Sequence, residues 1–275
     1  MPTTFNPNEF IPRGVRFVDI LDYSDKTLRT RHVKPRDAAL NLSADSTDIT
    51  DGFNSPIATI YNAQTGTLTY TNPTQSIDGY EIQWGTKRTV AAAASKISVP
   101  VSETLTVPSA SPYTVTLKYT PAGTAGTAPA EAVVIGDMSD YSERYEIAAQ
   151  AGTGKFTIEG KVITFPADAA GKKVILRYET ESETAVKVSK TSESIPEFVS
   201  IQIHVWVSPL CGDDINERFP AVYVIDRAQS DISSTDVNFS ADGGHPFSFK
   251  INADPCDEAE AHLIDFYIMK DPVTT

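Results

Sequence analysis

Val199-Ser-Ile-Gln-Ile-His-Val-Trp-Val207 alternates apolar and polar residues, the two-residue period of a strand with one buried face. Ala221–Ile225, Phe247–Ile251 and Leu263–Met269 repeat that texture, separated by acidic turns marked by Gly and Pro. The block predicts an antiparallel meander. Outward from it, Val15–Leu21, Ile57–Tyr61, Thr67–Tyr70 and Tyr80–Trp84 read as strands, with Asn62–Gly66 as a hairpin-length loop. Lys34–Leu42 follows Pro35 as a short helix, and Asp45–Gly52 reads as loop. The expected class is all-β, an antiparallel sandwich or barrel-like subunit with at most one or two short helices.

The middle of the chain has its own grammar. Lys155-Phe-Thr-Ile158, Glu159-Gly160 and Lys161-Val-Ile-Thr-Phe165 spell a hairpin with Gly in the turn, where a positive φ is needed. Ile97–Val107, Tyr113–Tyr119, Tyr145–Ala149, Lys173–Tyr178 and Thr184–Ser189 are strand-like, the last two expected beside the hairpin, and Pro121–Pro129 is a low-complexity connection. Ala91–Ser95 is too short to stand as a helix. These features predict a small β domain at 97–190 inserted into a discontinuous core of 1–96 plus 191–275. One continuous sandwich is the alternative.

The 275 residues suffice for a full hydrophobic core, and the formal net charge is −13. That balance disfavours grip on a phosphate backbone or an anionic membrane surface. Charge is segregated: Arg13, Arg16, Lys26, Arg29, Arg31, Lys34 and Arg36 lie near the start, while Asp213, Asp214, Glu217, Asp254, Asp257 and Glu258 crowd the last quarter. Two solvated faces account for this; so does a basic end of one subunit meeting an acidic end of the next. The first residues lack the apolar core of a secretory signal, so Cys211 and Cys256 are expected as buried thiols.

Motifs for chemistry fail in detail. Gly152-Thr-Gly-Lys155 ends like a phosphate loop, but Ala149 replaces the first Gly, Phe156 replaces the Ser/Thr, and a strand follows. His32, His204, His245 and His262 lack zinc-ligand spacing. Asp213-Asp-Ile-Asn-Glu217 lacks the alternation and central Gly of a calcium loop. No Gly-x-Ser-x-Gly elbow occurs, and no carboxylate pair stands out. No catalytic residue, metal or cofactor is expected, and the scattered aromatics read as core.

Three stretches resemble tail tube (major tail) proteins of tailed bacteriophages: Gly154–Phe165 with Ala167–Tyr178, the order Arg218-Phe-Pro220 … Phe247–Ile251 … Ala253-Asp-Pro-Cys256, and the small, β-branched Thr59–Tyr70. The resemblance implies a virion protein, assembled in the host cytoplasm, whose hexameric rings stack into a tube. It implies partnership with other tail proteins, no membrane binding, and a negative lumen that DNA crosses only in transit. A capsid decoration or other head protein, or a carbohydrate-binding adhesion module, shares the texture. Under this reading Arg13, Arg16, Arg29, Arg31 and Arg36 of one ring would face the acidic loops of the next.

Overall fold

A computed structural model describes residues 6, 8–123, 130–136, 140–210, 217–234, 237–240, 242–253 and 262–269. The chain is all-β, with one sheet curled as a half-barrel. Its strands are β1 (Phe10–Asp22), β2 (Leu28–Val33), β3 (Arg36–Thr50), β4 (Pro56–Asn72), β5 (Thr89–Val90), β6 (Ile97–Thr106), β7 (Thr114–Thr116), β8 (Ala130–Val134) and β9 (Arg144–Ile147). Then come β10 (Lys155–Glu159), β11 (Val162–Thr164), β12 (Lys173–Ser182), β13 (Val186–Lys187), β14 (Phe198–Pro209), β15 (Phe219–Ser230), β16 (His245–Ile251) and β17 (Asp265–Ile268). One α-helix, α1 (Ile77–Trp84), follows β4. Two compact units result: unit 1 is Met1–Arg88 with Val188–Thr275, and unit 2 is Thr89–Lys187.

Unit 1 is an eight-stranded sheet in the order β2-β1-β14-β15-β16-β4-β3, with β17 on β15. The meander is present in β14–β15–β16, but the last strand turns back. β17 takes the first half of β15 (Ala221–Val224), leaving Ala228–Ser230 to β16. Bulges at Pro12/Gly14 and Val15/Phe17 in β1, and at Asp226–Arg227 in β15 opposite Ser200, bend the strands. Gly14 carries the first of them at φ +112°. The concave face buries Val18, Ile20, Leu68, Ile201, Ile225 and Phe249.

The curl is drawn in at one end by an aromatic stack. Tyr70 and Phe247 pair across β4 and β16 with ring centroids 5.2 Å apart, and Phe247 and Phe249 lie nearly parallel at 6.0 Å. His32, from the first strand in the sheet order, reaches over to them. Its ring lies 4.6 Å from Phe247 and its Nδ1 is 2.9 Å from the Tyr70 hydroxyl. β3, beyond β4, stays outside this closure.

Unit 2 holds a seven-stranded sheet, β6-β12-β8-β9-β10-β11-β7, and the small pair β13–β5. Phe156, Ile163, Phe165, Val174, Leu176 and Tyr145 form its separate core. Gly160 turns the β10–β11 hairpin at φ +57°, between Glu159 and Val162. β12 pairs with β6 and β8 rather than with that hairpin, and β13 pairs with β5.

Several local expectations are overturned. Lys34–Leu42 is not helical: Arg36–Thr50 is one strand, laddered to β4 across the span expected as loop. The helix lies instead at Ile77–Trp84, where a strand was expected. Ser76 caps it by accepting from Gly79 N at 3.0 Å, and Gly85 ends it at φ +66°. Asn62–Gly66 is not a loop but the middle of β4. Gly66 is there because a Cβ would sit 3.0 Å from Leu42 and 3.2 Å from Ile251.

Gly85 is doubly constrained, since an added Cβ would lie 2.2 Å from the Ile195 carbonyl oxygen. Neither backbone can yield cheaply, so Gly85→Ala is expected to cost at least ~2 kcal/mol from the left-handed penalty plus this clash. Urea denaturation checks it; an unchanged midpoint contradicts it.

Candidate assembly surface

The most unusual feature of unit 1 is the β3–β4 hairpin. Near the sheet, Gly66, Leu68 and Tyr70 bury on one face of β4. Beyond Thr65 the two strands leave the core, and none of the residues from Asn41 to Thr65 whose burial is described is buried. The paired stretch from Ala44 to Thr50 extends roughly 20 Å at ~3.4 Å per residue. A two-stranded ribbon with no covering layer is marginal in water.

Register sorts its side chains. Thr47 opposes Ile60 and Ile49 opposes Ala58, giving one face of methyl groups. Asp48 opposes Thr59 on the other face, and the Thr59 hydroxyl donates to Asp48 Oδ1 at 2.6 Å. The tip is built rather than loose. Asp51 Oδ1 accepts from Phe53 N at 2.8 Å and Ser55 N at 2.9 Å, and Asn54 adopts φ +62°. This turn presents Phe53 92% exposed; along β4, on the face of Thr59, Ile57 is 68% and Tyr61 72% exposed.

Two further features belong to the same unit. Among the described residues β3 bonds only to β4, and β2 only to β1, so the sheet ends in two open edges. β3 contains no proline over its 15 residues, so every N–H on that edge is intact. Its bulge at Asp37–Ala38, together with Asp45 and Asp48, discourages indiscriminate pairing. Inside the curl, away from the aromatic stack, an apolar cavity of about 430 Å³ opens between Val15, Leu40, Leu68, Ile203, Val205 and Tyr223. Unit 2 differs: its edge strand β6 carries Pro100, and its other edge, β7, has three residues.

The basic residues expected at an interface are dispersed in role. Arg31 makes a bidentate pair with buried Asp19, at 2.6 and 2.7 Å, and lies 4.0 Å over the Phe17 ring. Arg29 pairs with Glu197 at 3.3 Å. Arg16 covers Trp206 and Phe17 at 5.0 and 5.2 Å. Arg13 Nε donates to Ser208 at 3.1 Å. Arg36, exposed, opens β3. Arg29 and Arg31 are thus already partnered within the chain. Glu217 is half-buried beside β15. Asp213, Asp214, Asp254, Asp257 and Glu258 lie outside the described residues, as do Cys211 and Cys256.

Chemistry finds little footing among the described residues. No group of three or more His, Cys, Asp or Glu side chains gathers as a metal site there. Lys26 Nζ lies 2.5 Å from Ser200 Oγ, a spacing seen in serine–lysine nucleophiles. Here the lysine is ion-paired to Asp226 at 3.5 Å, and the hydroxyl donates to the Asp226 carbonyl at 2.6 Å. Ser200 is 2% exposed, and the pair ties the turn after β1 to the sheet. Among the described residues no helix is long and apolar enough to cross a membrane.

Removing Arg31 leaves the Asp19 carboxylate buried without its partner. Because Arg31 is half-exposed, Arg31→Ala is expected to lower stability measurably, but by less than breaking a fully buried pair would. Arg36→Ala should stay within ~0.5 kcal/mol of the parent. Equal effects of the two in chemical denaturation would contradict this division of roles. In comparisons with known proteins, no family model matches the chain and no curated protein matches it.

Proposed function

We propose that the chain is a self-assembling structural subunit, of the kind that builds the tail tube of a tailed bacteriophage. One observation carries the reading: a roughly 20 Å ribbon with a methyl-bearing face and an exposed Phe53 tip, anchored to a sheet that curls without closing. Such a ribbon gains its missing layer from another chain. Copies of one chain are the economical partner, because an edge or groove on each accepts a projection from the next. That contact is heterologous, so it closes into rings or propagates as a filament.

The rest follows in physical terms. Pairing the edges of β2 and β3 with neighbours removes exposed backbone donors and acceptors. The net charge of −13 repels a phosphate backbone, which suits a wall past which DNA slides. Unit 2, with its own core and its Pro100-guarded edge, is not needed for this pairing.

Negative-stain microscopy and sedimentation of the purified full chain test the proposal. Rings or hollow tubes that lengthen with concentration are expected. The double substitution Ile49→Asp, Ile60→Asp should abolish them while leaving the melting temperature nearly unchanged, since both side chains are exposed in the isolated subunit. A parent that stays monomeric at high concentration contradicts the reading, as does a double variant that assembles normally. Trimers that coat capsids would point to decoration, and glycan-binding monomers to adhesion.

A further inference from the structure

Two histidines lie in the concave core of unit 1, 2% and 1% exposed: His32 on β2 and His245 on β16. Both rings pack on Phe247, at 4.6 and 4.5 Å. His245 also meets Tyr80 of α1 at 4.7 Å, and its Nε2 lies 2.7 Å from Gln83 Oε1. Gln83 Nε2 in turn donates to the Pro246 carbonyl, which orients the amide. Gln83 Oε1 can only accept, so His245 Nε2 carries the proton and Nδ1 holds a bare lone pair. His245 Nδ1 and His32 Nε2 are both buried without a hydrogen-bond partner. His245 Nδ1 packs where a Cβ on Gly79 would be 3.1 Å away.

A second proton on either ring therefore creates a charged N–H with nothing to receive it. The neighbouring groups offer no compensation. Tyr70, from β4, is neutral, and burial pushes its hydroxyl well above the usual tyrosine range. On α1, Asp78 and Glu81 are engaged by Arg88. On β2, Arg29 and Arg31 pair with Glu197 and Asp19, and Lys250 of β16 pairs with Asp231. α1 itself has eight residues, too few to persist without docking. It is held to the sheet by Ile82, Gln83 and the Tyr80–His245 contact.

We infer that His32 and His245 form an acid-sensitive latch, whose protonation releases α1 and β2 from the curl while the remaining strands stay folded. Burial pulls both imidazoles down to about 4, and His245 adds to the effect on His32. An opened form, with rings in water, titrates near 6.5. The closed form binds fewer protons below that value, so its stabilisation is complete above pH 6.5 and is lost as pH falls towards 4. The device does not depend on the assembly reading.

Hydrogen exchange of the full chain at pH 6.5 and 4.5, corrected for intrinsic rates, tests this alongside NMR titration of the histidine ring protons. Protection of the α1 amides should fall at least tenfold, while β14 and the unit 2 strand β10 change little. The double variant His32→Gln, His245→Gln should flatten the response. Equal α1 protection at the two pH values in the parent overturns the latch, as does an unchanged fall in the double variant. If that variant fails to fold, the parent still decides: both rings titrating near 6.5 with α1 protected throughout would refute it.

Discussion

A sheet that bends far enough to make a concave core, but not far enough to pair its own ends, governs unit 1. Backbone groups on an unpaired strand remain solvated at best, and a barrel escapes that condition only by closing. Here the bulges in β1 and β15 supply curvature, and the Tyr70–Phe247–His32 stack ties the first strand across to β16 and β4. β3 lies beyond that tie. The ribbon grows from the strand that the closure leaves out.

The two ends of the curl consequently behave differently. At the stacked end, α1 and aromatic rings fill the space around the Tyr70 hydroxyl, the Gln83 amide and two imidazoles. At the other end the wall is apolar and open, with Leu40 of β3 and Val15 of β1 lining a cavity. A monomer gains nothing from leaving that surface wet. Unit 2 shows the contrasting solution, with a dense core under a sheet whose edges are short or carry proline.

Much of this could be read from residue order, and what could not has identifiable causes. Strands with one buried face declare themselves by alternation, so β14, β16 and the β10–β11 hairpin were legible. The ribbon was not: with both faces exposed, Arg36–Thr50 alternates weakly and imitates helix and loop. Gly66 misled for the opposite reason, being there for close packing rather than for a turn. Helix α1 was signalled only by Ser76 and Gly85 bracketing eight residues, with a weak apolar face between them. The return of β17 to β15 is a pairing choice that no local pattern encodes. The roles of Arg29 and Arg31 depended on partners distant in sequence or on the adjacent strand, Glu197 and Asp19, so charge clustering alone overstated what was free to meet another chain.

The claim at the centre is that unit 1 is incomplete by itself, and the outward-pointing amides of β3 report on it most directly. Their hydrogen exchange should be followed from dilute to concentrated protein. If edge and ribbon wait for a neighbouring copy, those amides exchange near intrinsic rates in dilute solution and become protected as the protein concentrates. Protection that is already full at dilution, or that never appears at any concentration, would contradict it.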